Sequence, residues 1–564
     1  MKKFGFWLTI FLALFVCFLG PGRNSALAQN TNPAQVLGGN DSGMHCIDSD
    51  YSIWQILPPG NQQRVQVVQK ATSASNPPKI LTNTDVSVFY KAVADAAGSI
   101  NTSSRNKTNF WSYVQTLFGV SLPVDTGFQG QKMPGRTGGA NLFLIGGGVA
   151  LGRTNRPQLF SKYDTASKRF AAPGLPITPI DDARRVNNYP LMQIEAKNAG
   201  GQVLGSLSSV VPVSTETHCR DCHATGQKAA TPGFRGVTAW STNANVDLQT
   251  RVNVLLLHDA VYSTNLVNSQ PVNCSQCHYS AANDLLKNGR VTATNLNPAN
   301  SMSAVMHTRH GTSIGGSVPI PDNGIATCYS CHPGRDTQCF RGAMATAGLI
   351  CQNCHGGLLA VGGQYPLTST GQRRRPWVDL PSCQSCHSGD ALSHLGADII
   401  LRQTYNTGDP SATPLTAVNT RFAEQPGVPY MNSLGHQGIA CESCHGSPHA
   451  IWPTNKVNDN VAATQIQGHS GMIMECTSCH ANTLSPTLNG PHGMHPVNDQ
   501  RWVGGHENFF EQNANNCRTC HGTTLLGTVI SKAAVNRTFT VEGKTVNIAK
   551  GTQIGCNLCH DMPR

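Results

Sequence analysis

Two things are scarce in this sequence of 564 residues: charge, at 13%, and aromatic side chains, at 6%. Its 56 glycines and 33 prolines outnumber its 41 basic and 30 acidic residues together. Such a chain is rich in loops and has little aromatic surface from which to build a core. Beyond the first 28 residues it also lacks any apolar run long enough for a helix to cross a bilayer, which excludes a helical membrane span there.

The first 28 residues read as a signal peptide. Lys2 and Lys3 form a basic start, Phe4–Leu19 an apolar core, and Ala26-Leu27-Ala28 a small-x-small cleavage site. The mature chain is expected to begin at Gln29. Cys17 lies in the apolar core, where Val16 before it suits a lipoprotein signal poorly, and is expected to be discarded. The mature protein is then expected to be soluble and exported, in the periplasm, on the outer surface or outside the cell.

Cysteine is plentiful. Of 21 cysteines, 18 fall in nine copies of one pattern, Cys-x-x-Cys-His. The copies are Cys219, Cys222 and His223; Cys274, Cys277 and His278; Cys328, Cys331 and His332; Cys351, Cys354 and His355; and Cys383, Cys386 and His387. The remaining four are Cys441, Cys444 and His445; Cys476, Cys479 and His480; Cys517, Cys520 and His521; and Cys556, Cys559 and His560.

This pattern is the attachment signature of c-type haem. In a helical turn, residues three apart share a face. Both thiols can then reach the vinyl groups on one porphyrin edge and form thioethers, while the following histidine reaches the iron as its proximal ligand. Zinc sites pair CxxC units, but nine is odd, and zinc gives no reason for a histidine after every second cysteine. A thioredoxin-like dithiol uses CxxC once, beside a βαβ unit. Structural disulfides would not keep one spacing. Nine covalently attached haem c groups are therefore expected, and nine flat apolar plates would supply the buried surface that the composition lacks.

Cys46 and Cys339 are the two mature cysteines outside the motifs. In an oxidising compartment an even remainder suggests a disulfide; free thiols or a bond to another chain are the alternatives. The formal charge of +11 falls to +8 without Lys2, Lys3 and Arg23. A basic balance can signal nucleic acid, but two propionates on each haem would bring the holoprotein near neutral or acidic, so no nucleic-acid partner is expected. Arg373-Arg374-Arg375 reads either as propionate partners or as a solvated loop before Pro376.

No motif precedes Cys219, so the chain divides near Pro212, with residues 29–212 ahead of a motif-bearing region, 213–564. The first part reads as a β-rich domain. Val86, Val88 and Tyr90 alternate with Ser87 and Phe89. Met192, Ile194 and Ala196 alternate before the turn signal Asn198-Ala199-Gly200-Gly201, and Val203 and Leu207 follow, which predicts a hairpin. In TNFWSYVQTLFG, residues Phe110, Trp111, Val114, Leu117 and Phe118 fall on one helical face, with Gly119 as a stop.

The second part carries first cysteines spaced irregularly, from 23 to 58 residues apart, so it is not a solenoid. Short helices, many loops and little sheet are expected there, with 402–427 as a linker between a five-motif and a four-motif part. A compact body of that length has a radius of gyration of about 20 Å. Nine porphyrins in such a volume must come within tunnelling range of one another.

Twelve histidines lie outside the motifs, enough to give every iron a second imidazole. The expected distal set is His258, His307, His310, His394, His436, His449, His469 and His506, plus one of His492 and His495. His218 adjoins Cys219 and could serve a neighbouring haem, and His45 sits in the motif-free part.

With nine CxxCH motifs, a leader and this pool of histidines, the chain resembles the secreted multihaem c-type cytochromes of bacteria that exchange electrons with extracellular minerals or partner cells. The resemblance covers the C-terminal two-thirds. The segments SGMHCIDSDYSIWQILPP (Ser42–Pro59) and KTNFWSYVQTLFGV (Lys107–Val120) also look like a module found ahead of such haem regions. The resemblance implies electron relay, bis-histidine haems in stacked and T-shaped pairs, redox-protein or mineral partners and sometimes head-to-tail filaments. The competing class is the multihaem oxidoreductases acting on small nitrogen or sulfur compounds. Several of these carry Lys in place of a motif histidine, and no motif here does. PHGMHP (Pro491–Pro496) is where a substrate-facing pair would be sought. A third class, a docking protein with incidental haems, fits nine motifs poorly.

Overall fold

The computed structural model describes residues 32–135, 141–145, 148–152, 155–283, 298–313, 319–367, 371–383, 421–422, 425, 428–482 and 484–562. The leader, Cys386, His387, His394 and most of 402–427 lie outside the described residues.

The N-terminal region is β-rich, as its alternation predicts. One antiparallel sheet runs in the order Ala34–Asn40, Asn61–Gln69, Arg169–Leu175 and Lys162–Asp164, with Lys79–Leu81 also paired to Asn61–Gln69. The other runs Val203–Val210, Leu191–Lys197, Ser87–Val93 and Gln158–Leu159. Along Ser87–Val93, Val88, Tyr90 and Ala92 turn inward and are buried, which is the period-two pattern of a half-buried strand. The expected hairpin forms with Leu191 opposite Val210 and Lys197 opposite Val203. Its turn closes through the Gly201 N–H on the Asn198 carbonyl at 2.9 Å, with Gly201 at φ +82°, a conformation glycine adopts without steric cost.

Phe110–Phe118 is the expected helix. Gly119 ends it in the left-handed region at φ 72°, its N–H returning to the Gln115 carbonyl. The buried face, Phe110, Val114 and Leu117, packs with Tyr51 and Phe128 into a small cluster of its own. Edge-to-face contacts at 5.1 Å (Tyr51–Phe110) and 4.6 Å (Phe118–Phe128) add about 0.5–1.5 kcal/mol each beyond area burial.

The motif-bearing region is built as expected from short helices and loops, Val246–Tyr262 being its one long helix among the described residues. Its strands are two-residue ladders and one hairpin, Arg537–Val541 with Lys544–Ile548. Residue 212 separates strands from motifs but does not separate two cores. Trp452 and the helix Val461–Gln467, through Ala462, Ala463 and Ile466, join Val36, Val65, Val88 and Ile194 in one buried cluster. Buried polar ties reinforce the join. Arg169 reaches Glu442 at 3.2 Å, and Gln66 exchanges hydrogen bonds with Gly438 and Ala440. No described helix is long and apolar enough to cross a membrane.

Candidate functional site

Each described motif is placed by one turn of helix. The histidine N–H returns to the carbonyl of the first cysteine at 2.9 Å in the first three motifs, 2.8 Å in the seventh and 3.3 Å in the ninth. The fourth, sixth and eighth motifs lie in the helices Cys351–His355, Cys441–His445 and Ala514–His521. That turn is what brings two thiols three residues apart to one side.

Beyond each described motif stands a second imidazole. His223 faces His310 at a ring-centre distance of 6.3 Å, His278 faces His258 at 6.3 Å, His332 faces His307 at 6.2 Å, and His355 faces His449 at 6.0 Å. His445 faces His492 at 5.9 Å, His480 faces His436 at 6.0 Å, His521 faces His495 at 6.3 Å, and His560 faces His506 at 6.0 Å. Eight motifs thus acquire eight different partners. A metal–imidazole bond of about 2.0 Å, plus roughly 1.1 Å from the ligating nitrogen to its ring centre, puts two trans imidazoles about 6.2 Å apart. The eight pairs fit that span.

Ring orientation agrees. His258 bonds Thr264 through Nδ1, and His278, His307, His310, His495, His506, His521 and His560 bond backbone carbonyls through Nδ1, at 2.7–3.1 Å. His492 bonds the Arg421 carbonyl through Nδ1 at 2.5 Å. An Nδ1 contact of this kind fixes the ring and leaves Nε2 to ligate. Burial, then the paired histidine, lowers His223 to about 4 and His355 to about 3; burial first also takes His307 and His495 to about 4. Neutral imidazole is the form that binds metal.

Three other histidines engage Nε2, His469 alongside an Nδ1 contact to the Ser470 carbonyl at 2.9 Å. His45 bonds the Pro58 carbonyl at 3.2 Å, His218 bonds Glu216 at 3.0 Å, and His469 bonds Glu475 at 3.1 Å. His469 was expected among the distal ligands; it faces no motif histidine among the described residues, and its Nε2 contacts Glu475, itself ion-paired with Arg537. His492 and His495 both face motif histidines, where one was expected. His387 and His394, with Cys386, fall outside the described residues, and Cys383 lies at the edge of them. The spacing of His307 and His310, three apart on the helix Met302–Gly311, was the readable sign that one element serves two motifs.

Anionic chemistry is provided for as well. Arg235 Nε and Nη2, in the loop after the first motif, and Arg373 Nε are buried without a hydrogen-bond partner among the described residues. A buried guanidinium N–H without an acceptor is costly, and a haem propionate would satisfy it. Arg374 is 3% exposed and donates to the His355 carbonyl at 2.6 Å, so the arginine triplet is not a solvated loop.

Glu216, His218 and Asp336 bring three ligand atoms within 4.8 Å of one another. Glu216 is already engaged. It accepts the N–H groups of Gly334, Arg335, Asp336 and Thr337 at 2.6–3.2 Å and the Thr337 hydroxyl at 2.6 Å. The group is a brace for the turn after the third motif. Cys46 and Cys339 are free thiols here, both raised in pKa by burial first and Cys46 next by the Cys339 charge; the bridge considered from sequence is not formed.

No family model matches this chain, and no curated protein matches it.

Proposed function

We propose that the chain is an exported multihaem c-type cytochrome. It relays electrons through nine closely packed, mostly bis-histidine haems, between periplasmic or cell-surface donors and extracellular acceptors. One observation carries this reading: at eight CxxCH motifs the histidine faces a second imidazole at 5.9–6.3 Å, the span of an iron with two trans ligands.

Bound haem would supply a reversible one-electron iron couple. The chain's residues hold it. Paired thiols one helical turn apart would anchor the porphyrin, and the two imidazoles of each pair would hold the metal. Nδ1 acceptors would lock the ring orientations. If both imidazoles of a pair held the iron, no position would be left for a small substrate, and the chemistry would reduce to accepting and passing an electron. The oxidoreductase alternative looked to PHGMHP, yet His492 and His495 there each face a motif histidine. An open site would have to lie at Cys383, Cys386 and His387.

Intact-mass spectrometry of the mature protein tests the cofactor count: the polypeptide from Gln29 plus nine haem masses is expected. Paramagnetic resonance of the oxidised protein should show low-spin iron alone. Fewer haems, or one stoichiometric high-spin iron with turnover of a nitrogen or sulfur oxyanion, would overturn the reading.

A further inference from the structure

We infer that the N-terminal region, which carries no motif, is a working part of the fourth site: its loop Asn40–Met44 holds His449 in place opposite His355. This rests on the haem reading and deepens it by giving a positioning role to a domain without haem motifs.

His449 does not lie on a helix. It sits at the two-residue tip, Pro448-His449, of a small hairpin in which Gly446 pairs with Ile451 and Ser447 with Ala450. The hairpin leaves directly from the helix of the sixth motif, Cys441–His445. The chain just past the sixth motif thus presents an imidazole to the fourth, where the His449 and His355 rings lie 6.0 Å apart. An isolated two-stranded hairpin is marginally stable at best. Strands of two residues cannot fix an imidazole by themselves, so other segments must hold the tip.

One of them is the stretch between the third and fourth motifs. The Arg341 N–H donates to the His449 carbonyl at 3.0 Å. Phe340 sets its ring at 90° to the imidazole, with centres 6.5 Å apart. Gly342 lies against the far strand of the hairpin, where a Cβ would come within 2.4 Å of the Ile451 carbonyl oxygen. The Arg341 side chain is anchored in turn on Asp459, and both are buried.

The other is the loop that follows the strand Ala34–Asn40. Gly43 has φ +87°, and a Cβ built on it would stand 3.0 Å from His449 Cβ and 3.4 Å from the His449 nitrogen. Glycine is required there twice over. Side chains of L residues disfavour that backbone region, and His449 leaves no room for one. Asn40 sets the loop. Its Oδ1 accepts the Ser42 and Gly43 N–H groups at 3.2 and 2.7 Å, and its Nδ2 donates to the Gln62 carbonyl at 3.1 Å. The Ser447 hydroxyl donates to the Asn40 carbonyl, which closes the loop onto the hairpin. Asn40 ends the strand whose Val36 and Leu37 lie in the shared core. The rigidity of that core therefore reaches the imidazole through Asn40, Gly43 and Ser447.

Carbon monoxide binding to the reduced holoprotein tests the role. His449→Ala sets the reference and should bind one haem-equivalent more than wild type. Gly43→Val, which drives a branched side chain at His449 Cβ, should bind the same extra equivalent. Gly98→Val carries a similar backbone cost, at φ +71° in the same region with no atom within 4 Å of its Cβ, and should bind no more than wild type. Gly43→Val added to His449→Ala should still bind only one extra. No gain with Gly43→Val, an equal gain with Gly98→Val, or a second equivalent in the double variant would overturn the inference. If Gly43→Val does not accumulate, Ser447→Ala decides, since it only unties the hairpin from Asn40. It should bind carbon monoxide faster than wild type, and an unchanged rate would overturn the inference. A wild-type protein carrying no haem would sink the proposed function, whereas a haem-loaded protein indifferent to Gly43→Val would sink only this inference.

Discussion

The imidazole rings of His307 and His332 lie 6.2 Å apart and only 12° from parallel. Those of His495 and His521 are 13° apart, whereas His223 and His310 stand at 79° and His258 and His278 at 71°. Parallel axial rings donate into one iron d orbital and split it from its partner; crossed rings donate into both and leave them nearly degenerate. Two classes of low-spin ferric signal are therefore expected in the oxidised protein, a rhombic one and one with a very large principal g value. A single class of spectrum would contradict these ring angles.

His307 and His469 should respond differently to removal. His307→Ala is expected to open one axial position, so that the reduced protein binds carbon monoxide at one haem-equivalent. His469→Ala should bind none, because His469 Nε2 is held by Glu475. Difference spectra of the two variants separate a ligand from a bystander.

Arg341 and Asp459 are 0% and 1% exposed, with the guanidinium on both carboxylate oxygens at 2.5 and 2.8 Å. Removing one partner of such a pair leaves a buried charge. Arg341→Ala should lose about 3–5 kcal/mol of stability in denaturant titration, and Arg341→Met combined with Asp459→Leu should recover much of that loss.

Glu216 gives a pH dependence. Burial alone would raise its carboxyl, but the hydrogen bonds from Thr337, Gly334 and His218 outweigh burial and hold it at about 2, below the ordinary 4.5. A depressed folded pKa contributes stability above the unfolded value and loses it as pH falls. The melting-temperature gap between wild type and Glu216→Gln should stay constant above pH 4.5 and close between there and about 2. A gap that persists at pH 2 would assign the effect to shape rather than charge.

Cys46 and Cys339 should be alkylated slowly in the native protein, since both are half-buried and burial raises Cys339 to about 11. After unfolding without reductant, two labelled thiols are expected by peptide mapping. A single cross-linked peptide pair would show instead that the exported protein closes the bridge.

What the sequence settled by itself was local. A CxxCH turn needs five consecutive residues, so the paired thiols and the histidine after them are legible from spacing. The strand Ser87–Val93 and the helix Phe110–Phe118 are legible for the same reason, because their periodicity is a property of neighbours. The pairing of imidazoles is not local. His449 faces His355 across 94 residues, while His436, before the sixth motif, faces the histidine of the seventh, and His492, beyond the seventh, faces that of the sixth. Histidine supply indicated that partners could exist, but His469 resembles the others in sequence and differs only in which nitrogen Glu475 occupies. The shared core is equally tertiary. Ala462, Ala463 and Ile466 show an apolar face, yet nothing local says that the face closes on Val36 and Val65. A face or a lone pair can be read from one segment. Its partner is chosen only when the chain has folded and distant segments are held at fixed distances.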